Sequence, residues 1–314
     1  MPAVTPLLAG RPRPLRVMAL VSATGANLTT TLDLAAERPD LLRVVLVASD
    51  RERAGALDVA ARAGVPTWPG RFAAECGGHR ACVTEEDRAA YRARAEAFHD
   101  RLLARVRDFE RADGEIDLVV LAYHRWIHGR FLAHFRNRII NQHPGDLASL
   151  DGSGARALVG MDPVGVALRR GDTATRTSTF LVDDTHDGGP VLARGPALEY
   201  HGPRPPSRED VDAHERRQKA HSDRPVLRWV LTALAEGRLA LDPSRPRPDG
   251  TAAVLLDGAE TPPGGHDLAG DLAQAADPAR LVSPARAAGR DPERAAGRDH
   301  GHEQDRAGTK AGAS

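Results

Sequence analysis

The chain has 314 residues, with 43 Lys+Arg against 43 Asp+Glu, so bulk charge gives no grip on nucleic acid or polyphosphate. Its apolar fraction of 41% and aromatic fraction of 4% are too low for one core running through the whole length, so part of it is expected to stay outside the fold. Two cysteines, Cys76 and Cys82, exclude a disulfide framework and fit a reducing compartment.

Residues 1–14 carry Pro and Arg and read as a flexible leader. They lack the apolar core of a signal peptide, and no run approaches the ~18 apolar residues of a membrane span. Cytoplasm is therefore the expected location, with no membrane partner. Leu15 to Val21 reads as a buried strand, followed by Ser22-Ala23-Thr24-Gly25-Ala26-Asn27 and a helix with Leu28, Leu32 and Ala35 on one face. A strand, a small-residue turn and a helix aim backbone N–H groups at an anion. With Gly25 alone, the turn lacks the three glycines of a dinucleotide fingerprint, although Asp50 stands where a ribose-binding acid would. A plain strand-to-helix turn explains it equally well.

Leu42 to Ala48 is the next strand, Ala54 to Ala63 a helix stopped by Gly64, and Val65 to Trp68 extended again. This βαβαβ order implies a parallel sheet with right-handed crossovers. Cys76, His79 and Cys82 could contribute to a zinc site, but four ligands are usual and no paired C-x-x-C occurs. A surface loop with free thiols and no metal is the expectation. Glu85 to Arg111 reads as a long helix with Tyr91, Phe98, Leu102, Leu103 and Val106 inward.

Asp117 to Ala122 is a buried strand, and Tyr123 to His128 follow at its C-terminal end, where open α/β sheets put their sites. A short helix from Arg130 leads to Ile139-Ile140-Asn141-Gln142-His143-Pro144. If Asn141 and His143 share one strand, alternation aims both side chains the same way. An amide donor and a titratable ring would then face one cleft, able to polarise a carbonyl and move a proton. Residues 145–158 read as a mobile loop, 161–170 as a helix and Ser178 to Val182 as a strand. Asp183 to Pro190 form a tight loop whose glycines let backbone and carboxylate approach a ligand. Ser207 to Ala235 is helical in two pieces broken near Pro225. From Asp242 the composition turns to Pro, Gly, Ala, Arg and Asp, and an eight-residue repeat spans Pro284 to Asp299, so 244–314 is expected to be disordered.

The pieces, in this order, resemble the folate-dependent formyltransferase family, and within it most the phosphoribosylglycinamide (GAR) formyltransferases. Ser22 to Leu28 is similar to the family's S-G-x-G-S-N-L phosphate loop, and Asp117 to Ala122 to its D-x-V-V-L-A strand. Asn141 to Pro144 matches N-x-H-P, and Asp184 to Pro190 matches D-x-x-D-G-G-P. The likeness spans about residues 15–241. It implies an α/β fold, a Rossmann-like open and mostly parallel sheet with helices on both faces, as a catalytic domain over 15–243. It also implies formyl transfer from 10-formyltetrahydrofolate to a small-molecule primary amine, by a monomer or homodimer. Asn141 and His143 would stabilise the oxyanion, and Asp187 would set the charge state of His143 and help take the amine's proton. Arg125, Trp126, Ile127, His128, Asp183, Asp184 and Gly188 would grip the donor. Thr24, Gly25, Ala26 and Asn27 would hold a phosphate of the acceptor.

This sequence departs from the family at the acceptor side. Gly145-Asp146-Leu147-Ala148-Ser149 replace S-L-L-P, Ala23 and Ala26 replace a glycine and a serine, Phe180 stands for a histidine, and Tyr123 stands where a glycine is common, narrowing the cleft. A divergent acceptor, such as a sugar or specialised-metabolite amine, follows as an expectation. The rivals are a formyltetrahydrofolate hydrolase and a non-catalytic folate- or nucleotide-binding protein. A methionyl-tRNA formyltransferase would need a basic C-terminal barrel that the repeat-bearing tail cannot build.

Overall fold

A computed structural model describes residues 3–270 of the chain. Apolar runs become strands and stripes become helices much as the periodicities predict. The main sheet comprises β1 (Leu15–Val21), β2 (Leu42–Ser49), β3 (Thr67–Trp68), β4 (Leu118–Ala122), β5 (Ile139–His143), β6 (Ser178–Leu181), β7 (Val191–Arg194) and β8 (His266–Asp267). Its order is β8-β7-β6-β5-β4-β1-β2-β3. Neighbours run parallel except where β6 pairs with β5 and β7. The helices are α1 (Ala26–Glu37), α2 (Gly55–Arg62), α3 (Phe72–Cys76), α4 (Glu85–Asp113), α5 (Gly129–His134), α6 (Pro163–Arg169), α7 (Arg208–Gln218) and α8 (Arg224–Ala235).

Alternation along the strands divides the core between the two faces. Val17, Leu118, Val120 and Ile140 pack with Leu34 of α1 and with Val226, Leu227, Val230 and Leu231 of α8. Met18, Leu20, Val119, Leu121 and Ile139 pack on the other face with Leu103 and Val106 of α4, Phe131 of α5 and Phe135 just after it. The chain order reverses between β1 and β4, so the crevice at their carboxyl ends is the topological switch point of an open sheet. The sequence leads out of that sheet at residues 22–27 and 123–128, and β5 ends beside them.

Three expectations need correction. The leader is not loose along its length: Thr5–Pro6 pairs antiparallel with Leu241 and Ala240, and Leu7 is buried because an isolated apolar pair finds the α8 core. The chain does not lose regular structure at 244. Leu239–Pro246 and Ala252–Leu256 form an antiparallel hairpin continued by Ala259–Glu260, and β8 then joins the main sheet. The apolar run Ala252 to Leu256 buries Ala253, Val254 and Leu255 despite its polar, proline-rich surroundings. Asp257 and Gly258, both at positive φ (51° and 81°), turn it back, which is the residue pair a two-residue hairpin loop favours. The repeat at 284–299 lies outside the described residues. The third correction concerns the thiols: Cys76 belongs to α3 and is buried against Phe72 and Ala95, so only Cys82 retains the expected partial exposure.

Between α7 and α8 the helix is interrupted near Pro225, as expected. It loosens into a single π-type turn over Lys219–Asp223, and Pro225 occupies the first turn of α8, where its missing N–H costs nothing. Such widened turns occur frequently at functional sites, and this one faces the crevice.

Candidate active site

A cleft of about 390 Å³ opens at the switch point. Ala23–Asn27 from the β1–α1 turn, Tyr123–His128 after β4, Asn141–Pro144 at the end of β5, and Val182, Asp183 and Thr185–Asp187 after β6 all line it. Glu215, Lys219 and Asp223 close one side.

Asn141 and His143 meet there as strand alternation requires, and Asp187 reaches them from the next connection. His143 is 4% exposed. Its Nε2 donates to the Leu158 carbonyl at 2.5 Å, which leaves Nδ1 facing Asp187 Oδ2 at 3.6 Å. Burial pushes the His143 pKa below the ordinary imidazole range, and the Asp187 charge opposes that shift. At neutral pH the ring is therefore neutral, with its proton on Nε2 and a basic Nδ1 turned to the carboxylate. Asp187 is held in turn by the Gly160 N–H, which donates to Oδ2 at 3.0 Å. Its backbone adopts φ 54°, a left-handed conformation that Asp tolerates better than most residues. Asn141 is half-buried, and its amide makes no hydrogen bond among the described residues, leaving it available to a ligand.

The unusual Gly145 now has a physical reason. A Cβ there would stand 2.7 Å from the Leu158 carbonyl oxygen and 3.0 Å from His143 Cδ2, so a serine would block the contact that fixes the His143 ring. Gly189 is equally constrained, because its Cβ would lie 1.9 Å from the Leu181 carbonyl oxygen. Gly25 caps α1 at φ 83°, and a Cβ would lie 2.7 Å from that of Ala56. The turn is thus required by packing as well as being open to an anion at the first N–H groups of α1.

Of the donor-side candidates, Arg125, Trp126, Ile127, His128 and Asp183 line the cleft, whereas Asp184 and Gly188 do not. Asp184 is exposed, and Gly188 sits beneath Thr185, whose Oγ1 would be 2.1 Å from an added Cβ. Among the described residues, no group of three or more His, Cys, Asp and Glu could hold a metal. The Arg125 guanidinium turns away, donating to buried Asp50 at 2.7 Å and lying 4.7 Å from the Phe72 ring centre. Asp50 is therefore committed to this pair and not free for a ribose. Tyr123 lines the cleft, but its hydroxyl hydrogen-bonds to His99 of α4 at 3.3 Å, and burial raises its pKa. Trp126, half exposed, stacks obliquely on His186 at 4.8 Å between ring centres.

Sequence reasoning missed the wall formed by α7 and the π-type turn. Asp223 is half-buried, and desolvation raises its carboxyl pKa although the Thr177 hydroxyl donates to it. Gln142 donates to the Asp223 carbonyl at 2.6 Å, and Gln218 donates to the Pro144 carbonyl at 3.0 Å. These bonds fasten the end of β5 to a helix some eighty residues later, a partnership no local pattern announces. Lys219 and Asp223 lie four apart, and that spacing was the available signal.

Residues 15–197 match the family model described as formyl transferase. A phosphoribosylglycinamide formyltransferase of Mycobacterium tuberculosis (strain ATCC 25618 / H37Rv) is 31% identical over 224 residues, 71% of this chain and 86% of that protein. The Escherichia coli (strain K12) phosphoribosylglycinamide formyltransferase is 28% identical over 254 residues, 80% and 98% of the two chains. Among solved structures, glycinamide ribonucleotide transformylase 1 from Symbiobacterium toebii superposes with a TM-score of 0.55 at 28% identity, covering 77% of this chain and 94% of its own.

Proposed function

The chain belongs to the formyl transferase family and most resembles its phosphoribosylglycinamide members, and on that premise we propose that it transfers the formyl group of 10-formyltetrahydrofolate to a primary amine. The observation that carries this reading is the meeting of Asn141, His143 and Asp187 in one cleft, with His143 Nδ1 directed at Asp187. Amine nitrogen attacks the formyl carbon, and negative charge gathers on the formyl oxygen. The Asn141 amide donates to that oxygen. His143 takes up a proton at Nδ1, and the resulting imidazolium is stabilised by Asp187. Collapse of the intermediate breaks the bond to N10 of the folate, which leaves with the proton the amine has lost. A formamide and tetrahydrofolate result.

Tyr123 to His128 and Asp183 supply the donor side, with Leu121, Ile127, Phe180 and Val182 as the apolar wall a flat pterin needs. At the acceptor side the N-terminus of α1 at Thr24–Asn27 and the Lys219 ammonium favour an anionic group, while Glu215 and Asp223 favour hydroxyls. An acceptor of the phosphoribosylglycinamide type fits this polarity. The hydroxyl missing at Ala26 and the presence of Lys219 on the opposite wall equally fit a related amine with its negative charge displaced.

The test is transfer of isotope-labelled formyl from 10-formyltetrahydrofolate to a panel of amines including phosphoribosylglycinamide. Turnover lowered by about 10²-fold or more in Asn141→Ala and His143→Ala is expected. Donor binding without turnover on any amine would make the chain a binding protein, and formate release independent of amine would make it a hydrolase.

A further inference from the structure

Arg156 comes from the loop after β5, and its side chain is only 6% exposed. Its guanidinium donates to the Asp187 carbonyl, to the Gly189 carbonyl at 2.9 Å and to Asp249 Oδ2 at 2.7 Å. Asp249 sits at the tip of the hairpin between Leu239–Pro246 and Ala252–Leu256. Its other oxygen accepts from the Thr251 N–H at 3.1 Å and from the Thr251 hydroxyl at 2.8 Å. Burial would raise the Asp249 pKa, but the bonds from Arg156 and Thr251 outweigh it and hold the carboxyl below its ordinary range.

A buried guanidinium needs a countercharge, and Asp249 supplies it from 93 residues away. We propose that Arg156 and Asp249 are a positioning pair that aims Asp187 at His143, making the C-terminal hairpin a working part of the active site. The same loop segment also offers Leu158 to His143 Nε2 and Gly160 to Asp187 Oδ2. Anchoring Arg156 therefore sets the nitrogen that faces the cleft and the carboxylate beside it together. Neither residue touches the cleft, so both act through Asp187. The proposal rests on the assignment of Asp187 to proton handling.

The variants are Asp249→Asn and Arg156→Lys in the full chain, with Asp187→Asn alongside. Asn at 249 keeps the oxygen that accepts from Thr251 and removes the charge facing Arg156. Both variants should lower kcat 10- to 100-fold with KM changed less than threefold. Both should also move the acidic limb of the pH–kcat/KM profile to lower pH, because Asp187, which raises the His143 pKa, is misaligned while His186 and the positive charge at position 156, which lower it, are retained. Combining Arg156→Lys with Asp187→Asn should add less than threefold to the loss from Asp187→Asn alone. An unmoved pH limb, or fully multiplicative losses in the double variant, overturns the positioning role. If instead Asp187→Asn itself keeps full activity, the assignment of Asp187 fails, a result separate from the other two. Should Arg156→Lys prove too unstable to assay, Asp249→Asn with its pH limb decides alone.

Discussion

The two halves of the cleft are built differently. On the side of β1, β2 and β4, the cleft is lined by the turns at Ala23–Asn27 and Tyr123–His128, carried by strands whose side chains are buried on both faces of the sheet. On the side of β5 and β6, the cleft presents side chains, and their bearings are set by polar contacts across 74, 81 and 93 residues of sequence. The first half is a scaffold that tolerates little change in shape. The second is a set of oriented charges that tolerates little change in polarity.

Five variants would break or sharpen that contrast. The largest effect belongs to the side-chain half. His143→Ala should cost about 10³-fold in kcat, within the range for loss of a positioned acid–base group, while the thermal midpoint stays near that of the parent. Asp187→Asn should shift the acidic limb of kcat/KM to lower pH, because the aspartate raises the pKa that burial lowers. Asn141→Ala should cost about 10²-fold to 10³-fold in kcat, the scale of one lost oxyanion donor, with KM little altered. Steady-state kinetics on the best acceptor reads all three.

The remaining tests strike the scaffold half and should appear as stability. His99, fully buried behind Tyr123, has its pKa pushed down to about 4 by desolvation. Below pH 6.5 the unfolded chain takes up a proton that the folded chain refuses, so stability falls as pH drops through 6.5 toward 4 and is unaffected above that window. About 2 kcal/mol of the loss between pH 7 and pH 5 belongs to this residue. Urea unfolding of His99→Gln at the two pH values should show that part missing. Gly25→Ala should destabilise by roughly 1–2 kcal/mol, from the left-handed φ and the approach of Ala56, in denaturant titration at neutral pH.

Much of the scaffold was legible because each of its strands is a continuous apolar run. Leu15 to Val21, Leu42 to Ala48 and Asp117 to Ala122 are each found within a residue of where the pattern puts them. The site was legible where strand alternation reaches its end, at Asn141 and His143, and where glycines bracket an acid, at Asp187. Asp184 and Gly188 shared that motif, yet the turn points one to solvent and hides the other under Thr185. The strands at 239–260 could have been found from Ala252 to Leu256 and the Asp257-Gly258 loop that turns this run back onto Ala259–Glu260. A five-residue apolar run is too short to stand out against so polar a background.

Sequence by itself determined the mostly parallel sheet, a site at the carboxyl ends of its strands and the three polar residues there, because local periodicity and turn chemistry act over a few residues. Only the tertiary structure decided which nitrogen of His143 faces the cleft, that Arg156 is clamped by Asp249, and that Lys219 and Asp223 form the far wall. Those facts depend on pairings between segments remote in the chain. Each pairing is fixed by the requirement that a buried charge or carbonyl find its partner, wherever in the sequence that partner lies.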